Sequence, residues 1–387
     1  MLRMKAAGID AFGGEVQLLE LAAPAPPVAD EVVFSVRAAG VGNWDEIVRV
    51  GGWDVGRRPP LALGVEAAGV VAAAGEDVTS LAPGDEVLTH PLPLRHQGAW
   101  AERLVAPAAL VARKPAAVPW AAAAAFAVPA LTADQALTEA APVRPGEWLL
   151  VHGAGGVTGE LAVQLAVARG ATVVATAGPS SAARIRGDGA HAVFDYHDPE
   201  WPTLVRNATP SGRGVGTAVN AVRGGAATAL QTVADGGHLA TITGDPPSPE
   251  RGVTVANIYV RADGARLAAL VAALADGLLS LRVGATFALA DAATALQGAV
   301  TGRAAGATVL TLEGISGDAR TTSKSNAPRN THRSARRLLR RTAGGDRHRS
   351  TTRSLARDSP PDCNQRLIRG QEAVRPDAVQ FRFGRDT

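Results

Sequence analysis

The sequence predicts an α/β protein in two parts, a β-rich barrel or rolled sheet followed by a doubly wound parallel sheet, with a disordered basic C-terminal tail. Three observations carry this. Residues 4–113 fall into short alternating or β-branched runs divided by Gly and Pro. From residue 148 onward, apolar strands alternate with helical segments. Residues 315–387 hold 17 Lys and Arg against 7 Asp and Glu, with no sustained apolar period.

In the first part, MKAAGI and VQLLELA read as strands, and a break at Pro24, Pro26 and Pro27 precedes EVVFSVRAAGV. There Val32, Phe34 and Val36 alternate with Val33, Ser35 and Arg37. VEAAGVVAAAG, DEVLTH and AERLVAPAALVARKP continue the strand pattern. From Trp120 the character changes to Ala-rich helix, AAAAAFA and LTADQALTEA.

Trp148 to Ala177 is the most informative stretch: an apolar run, a glycine turn, a helical period, and a second β-branched run from Thr172. Strand, Gly-rich turn, helix and strand form the unit that binds dinucleotides. Gly153 lets the chain reverse, Gly156 lets backbone N–H groups approach a pyrophosphate, and Gly159 allows close helix packing. After it, SSAARIRGDGA reads as helix, AVFDY as strand, Trp201 to Ala208 as helix and GTAVNAV as strand. ALQTVADGG then reads as helix and HLATITG as strand. A long helix, ARLAALVAALADGLLS, leaves the sheet, and ATFAL, DAATALQGAVTG and ATVLTL return to the β-rich part.

Composition narrows the function classes. Hydrophobic residues make up 46% with a mean hydropathy of +0.06, and no apolar run approaches the ~18 residues that span a bilayer. The N-terminal MLRMKAAGIDAFGG lacks an apolar core, so a cytoplasmic location without membrane association is expected. The lone Cys363 permits no internal disulfide and excludes a multi-cysteine metal site. Residues 315–387 carry +10 and the rest of the chain −7, so the pI of about 9.5 belongs to the tail. Such a tail predicts at most weak, nonspecific nucleic-acid binding.

LALGVEAAGVV, APGDEVLTH, GAWAERLVAP, AVPALTADQAL, VRPGEWLLVHGAGGVTG and ATAGPSS occur in an order that is specific as a set. By these motifs the chain resembles the zinc-independent quinone oxidoreductase branch of the medium-chain dehydrogenase/reductase superfamily over residues 4–313. The resemblance implies a GroES-like catalytic domain built from residues 1–120 and 265–314. A Rossmann NADPH-binding domain at 121–264 is inserted between them, residues 315–387 lie outside, and the assembly is a homodimer.

Zinc-dependent relatives place a Cys and a His-Glu pair where this chain has Gly42 and Val65-Glu66. Only the carboxylate remains, so no catalytic zinc is expected. A bare ribose 2′-OH is met by an acid at the end of the second strand. Here Ala177, Gly178, Ser180 and Ser181 stand there with Arg184 and Arg186 following, a set suited to a 2′-phosphate and hence to NADPH. The resemblance adds Ala154, Val157, Thr158, Tyr196, Tyr259 and Val260 to the cofactor contacts. It also places Asn43, Thr132 and the loop from Asn257 to Val260 near the nicotinamide.

For a proton donor, His90 and His96 are the candidates by chemistry, with water as the alternative. Trp44, Trp53 and Trp100 offer either an apolar wall for a flat ring or an enone, or packing for the core of a small barrel. The expected activity is hydride transfer from NADPH to a quinone or α,β-unsaturated carbonyl. A trans-acting enoyl reductase on thioester-bound chains and a non-catalytic NADPH-binding or redox-sensing protein are the alternatives.

Overall fold

A computed structural model describes residues 2–312, and the expected basic tail lies outside the described residues. The chain opens with β1 (Arg3–Ile9), β2 (Gln17–Ala22) and β3 (Glu31–Val41), then helix α1 (Asn43–Arg49). β4 (Leu61–Ala62), β5 (Ala67–Ala74), β6 (Glu86–Thr89), β7 (Arg103–Pro107) and β8 (Val111–Arg113) complete the β-rich part. Helices α2 (Trp120–Ala124) and α3 (Ala127–Gln135) lead into the second part.

That part alternates β9 (Trp148–His152), α4 (Val157–Ala168), β10 (Thr172–Thr176), α5 (Pro179–Gly187) and β11 (Ala192–Phe194). It continues through α6 (Trp201–Ala208), β12 (Val215–Asn220), α7 (Ala226–Thr232), β13 (Val233–Thr241) and β14 (Thr254–Asn257). The return consists of α8 (Gly264–Ala275), β15 (Val283–Ala288), α9 (Ala292–Val300) and β16 (Ala307–Thr311).

β9 to β14 form one six-stranded sheet in the order β11-β10-β9-β12-β13-β14, with every pair parallel. The order reverses at β9, whose neighbours are β10 and β12. Ligands of such sheets bind outside the carboxyl ends of the strands at that reversal, and the glycine turn follows β9 there.

The β-rich part is held together by β3. One edge pairs antiparallel with β5, while the other pairs with β7 at its start and with β16 over Ala38–Val41. The last described strand is thus stitched to one of the first. Val32, Phe34 and Val36 are buried and Arg37 is exposed, but Val33 on the opposite face is buried as well, so the strand is covered on both sides at its start. Trp100 is fully buried and donates its indole N–H to the Gly40 carbonyl at 2.9 Å. It therefore belongs to the core and not to a ligand-facing wall. Gly64, at φ +90°, makes room for it, since a Cβ there would lie 2.3 Å from the Trp100 ring.

α3 is buried along its whole length, and its polar Asp134 and Gln135 are paired with Arg169 and Arg266 and with the Arg261 backbone. Its small residues allow close packing on α4 and α8, which joins the two parts through one core.

The expected helix ALQTVADGG is shorter than predicted. α7 ends at Thr232, and Val233 to Thr241 run as β13. Gly236-Gly237, which resembles a helix C-cap, instead marks an irregularity inside that strand. Gly236 has φ +75°, and the pairing with β12 shifts register between Val215 and Thr217. Among the described residues no helix is long and apolar enough to cross a membrane.

Candidate active site

The glycine turn after β9 is fitted on three sides. Gly153 sits at φ +88°, and Gly153 N and His152 Nδ1 lie 3.0 and 2.7 Å from Thr176 Oγ1. A Cβ on Gly159 would lie 2.2 Å from the Gly153 carbonyl oxygen, so the turn can lie against α4 only if residue 159 is glycine. Gly156 differs: a Cβ there would meet nothing nearer than that same oxygen at 3.7 Å. The space above Gly156 is open, and no side chain caps α4. An open cradle beneath unpaired first-turn N–H groups fits a pyrophosphate. Ser181 Oγ stands at its edge, 3.1 Å from where a Gly155 Cβ would be.

The turn forms one wall of a cavity of about 370 Å³. Asn43, Thr132, Gly153, Gly156, Val157, Thr158, Tyr259 and Val260, all expected from the sequence, line it. Trp44 and Trp53 line it as well. Thr132 Oγ donates to the Val128 carbonyl at 2.7 Å, so its hydroxyl proton is already engaged and its lone pairs remain for a ligand N–H. Sequence reasoning missed Arg223, which follows β12, lines the cavity and is exposed. Its signal was present, a cation just past a strand end, but only the strand order places it beside the glycine turn.

Other expected residues lie elsewhere. Ala154 is fully buried. Ser180, Ser181, Arg184 and Tyr196 are not part of the cavity wall and cluster where β10 and β11 end. Arg184 already has partners within the chain. Its guanidinium forms an ion pair with Glu160 of α4 and donates to the Gly155 carbonyl at 3.2 Å. Glu160 is itself buried, and the nearby Asp188 carboxyl is pushed up to about 6, first by burial and then by the Glu160 charge. Arg184 thus ties α5 to α4 beneath the turn.

His90 lies away from the cavity. It is buried, its Nδ1 contacts the Val65 carbonyl at 2.7 Å, and it does not line the cavity. Burial pushes its imidazole down to about 4, which leaves it neutral near pH 7. With Nδ1–H spent on the carbonyl, Nε2 can only accept, so His90 has no proton positioned for a bound ligand. His96, partly buried, is also held low by burial and the Arg57 charge.

Behind the Trp44 wall lie two carboxyls. Asp45 Oδ2 accepts from the Gly42 N–H at 2.8 Å, and Glu66 Oε2 accepts from the Val128 N–H at 2.8 Å. The Trp44 indole folds back over Gly42 so closely that a Cβ there would lie 2.2 Å from the ring. Any side chain at that position would require the indole to move. Among the described residues no three metal-ligating side chains come together, so the residues present do not suit the zinc of related enzymes.

Burial pushes the Asp45 carboxyl up to about 8 and Glu66 well above its ordinary range. An acid whose folded value is raised contributes stability that is full below its unfolded value of 3.8 and is lost as pH rises through about 8. His90 and His152, both lowered to about 4, act in the opposite direction, their contribution being lost as pH falls below the ordinary 6.5. The window from about pH 6.5 to 8 therefore isolates the carboxyls. Asp45→Asn is expected to gain about 2 kcal/mol relative to wild type across that window, read by urea unfolding at its two ends. A constant difference between the two proteins would contradict a neutral Asp45.

The description of the alcohol dehydrogenase GroES-like domain matches residues 28–116, and that of the zinc-binding dehydrogenases matches residues 189–310. Together they match more than half the chain. A quinone oxidoreductase from Lama guanicoe is 34% identical over 198 residues, which is 50% of this chain and 59% of that protein. Erythronolide synthase EryA2 from Saccharopolyspora erythraea is 39% identical over 52% of this chain and 6% of its own length. Among solved structures, an NAD-dependent alcohol dehydrogenase superposes with a TM-score of 0.73 at 28% identity, covering 80% of this chain and 99% of the other. Apart from the long synthases, this chain spans about half the length of the curated relatives it matches.

Proposed function

This chain belongs to the medium-chain dehydrogenase/reductase superfamily, and we propose that it is a zinc-independent reductase that uses NADPH to reduce a quinone or an α,β-unsaturated carbonyl. The observation that carries this reading is the continuity of the open glycine cradle with a cavity lined by Gly42, Trp44 and Trp53. When bound, the dihydronicotinamide supplies a hydride to the acceptor, whose enolate is completed by a proton from solvent.

The chain's own residues bind, orient and exclude water. Gly156 and the first-turn N–H groups of α4 suit the pyrophosphate, and the Arg223 guanidinium adds positive charge at the same wall. Thr132 offers its lone pairs to the carboxamide, while Val128, Tyr259 and Val260 bound the space for the ring. Trp44 and Trp53 give a flat, dry surface for a conjugated acceptor, and the Asn43 amide is a donor for its carbonyl oxygen. NADPH is favoured over NADH because no acid follows β10.

A panel assay tests this: NADPH oxidation against soluble quinones, simple enones and enoyl thioesters. Turnover with quinones or simple enones supports the reading. The likeness to EryA2 favours a second reading, an enoyl reductase acting on thioester-bound chains, and selective turnover of the thioesters would replace the first reading with the second. Tight NADPH binding without turnover of any acceptor would sink both.

A further inference from the structure

The wall that the β-rich part gives to the cavity is made by α1, by the paired ends of β3 and β16, and by the end of α9 with the connection that follows it. Val41 and Thr308 are register partners across β3 and β16, and both line the cavity. Trp44 and Ile47 of α1 stand on one side of them, Gly298 and Ala299 of α9 on the other. The opposite wall comes from the segments that follow β9, β12 and β13, where the cofactor is expected. Arg223, the one charged residue among the described residues lining the cavity, belongs to that opposite wall. The acceptor's side is therefore uncharged.

Three glycines lie on it, and the backbone explains two. Gly302 follows the end of α9 at φ +66°, a conformation that side chains rarely adopt. Gly306 has φ +138°, and a Cβ there would lie 2.5 Å from the Arg282 carbonyl oxygen. Gly298 differs from both. It lies within α9, outside the left-handed region, and a Cβ built on it would meet nothing within 4 Å. Alanine is more stable than glycine inside a helix, so neither conformation nor packing calls for a glycine here. What the missing side chain supplies is room in the cavity.

We propose that Gly298 is a specificity-determining residue that sets the size of the acceptor, and that the acceptor is apolar and carries a fused ring or an aryl substituent beyond the reacting unit. The inference rests on the reductase reading above and narrows its substrate class. A side chain at 298 would enter the cavity on the acceptor's side, because the position lines that wall and nothing else stands in its way. A single-ring quinone or a short enone fits with or without it. A larger acceptor needs the space, and its extra apolar surface is rewarded against a wall that holds Trp44 and Ile47 and no charge.

The test uses the full chain with NADPH and measures kcat/KM for a large and a small acceptor of whichever class turns over. The pairs are phenanthrenequinone against benzoquinone, benzylideneacetone against pentenone, and cinnamoyl against crotonyl thioester. Gly298→Leu is expected to lower the ratio of large to small at least about tenfold, chiefly through KM of the large acceptor. Gly187→Leu is the control, since a Cβ on Gly187 also meets nothing within 4 Å but the position lies at the end of α5, outside the cavity wall. It is expected to leave the ratio unchanged. Gly298→Ala is expected to unfold at higher urea than wild type and to lower the ratio by a smaller factor, so the measurement survives a leucine variant that does not fold. A ratio that stays at the wild-type value in the Gly298 variants, or that falls equally in Gly187→Leu, overturns the inference and leaves the reductase reading intact. Wild type that binds NADPH and reduces no acceptor overturns both.

Discussion

Gly159→Ala is expected to lower stability by about 3 kcal/mol and to abolish measurable NADPH binding. The added Cβ would sit 2.2 Å from the Gly153 carbonyl oxygen and 2.9 Å from the Ala154 Cα. Both are backbone atoms of the turn, so relief requires moving the turn away from α4. Gly156→Ala provides the contrast. Gly156 has φ −84°, which any residue adopts, and its Cβ would point into open space. Stability is expected to fall by less than about 1 kcal/mol, the cost of alanine at a helix N-cap. The methyl group would nonetheless occupy the cradle, and NADPH affinity is expected to drop at least about tenfold. Urea unfolding and fluorescence titration on the two variants separate the turn's role in folding from its role in binding. Equal loss of stability in both would contradict the account of the turn.

Arg184→Ala is expected to destabilise the protein by about 3 kcal/mol while changing the NADPH to NADH preference less than about threefold. Its guanidinium is the partner of Glu160, a buried carboxylate with Asp188 close by, and truncation leaves two acids together without their cation. The effect is expected to diminish as pH is lowered through about 6, where Asp188 takes up its proton. A stable variant with strongly reduced NADPH preference would return Arg184 to the 2′-phosphate.

Much of the fold was legible because the chain punctuates itself. The strands around the glycine turn are short apolar runs, and α4 follows with an unbroken apolar period, so strand, turn, helix and strand could be read directly. The return of the last segment to the β-rich part was also legible, and the pairing of β16 with β3 realises it. What escaped were features set by long-range packing. α1 is a single short amphipathic piece of seven residues whose cap depends on Asp45 reaching back to Gly42. β13 begins inside a stretch whose Asp and glycines look like the end of a helix, and only pairing with β12 makes it a strand.

The candidate site divides along the same line. Backbone positions of the glycine turn follow from local spacing. Side-chain roles depend on neighbours remote in sequence: Glu160 claims Arg184, Val65 claims His90, and the core claims Trp100. Arg223 comes to the cavity only because β12 lies beside β9.

The proposed reduction takes its hydride directly from the nicotinamide cofactor, and among the described residues lining the cavity none is a His, Cys, Asp or Glu that could hold a metal. NADPH dideuterated at the nicotinamide C4, reacted with an enone in the presence of a strong chelator, tests it most directly. The account predicts undiminished turnover under chelation, a primary isotope effect where hydride transfer limits the rate, and one deuterium at the β-carbon of the product. Unlabelled product, or turnover abolished by the chelator and restored by zinc, would contradict it.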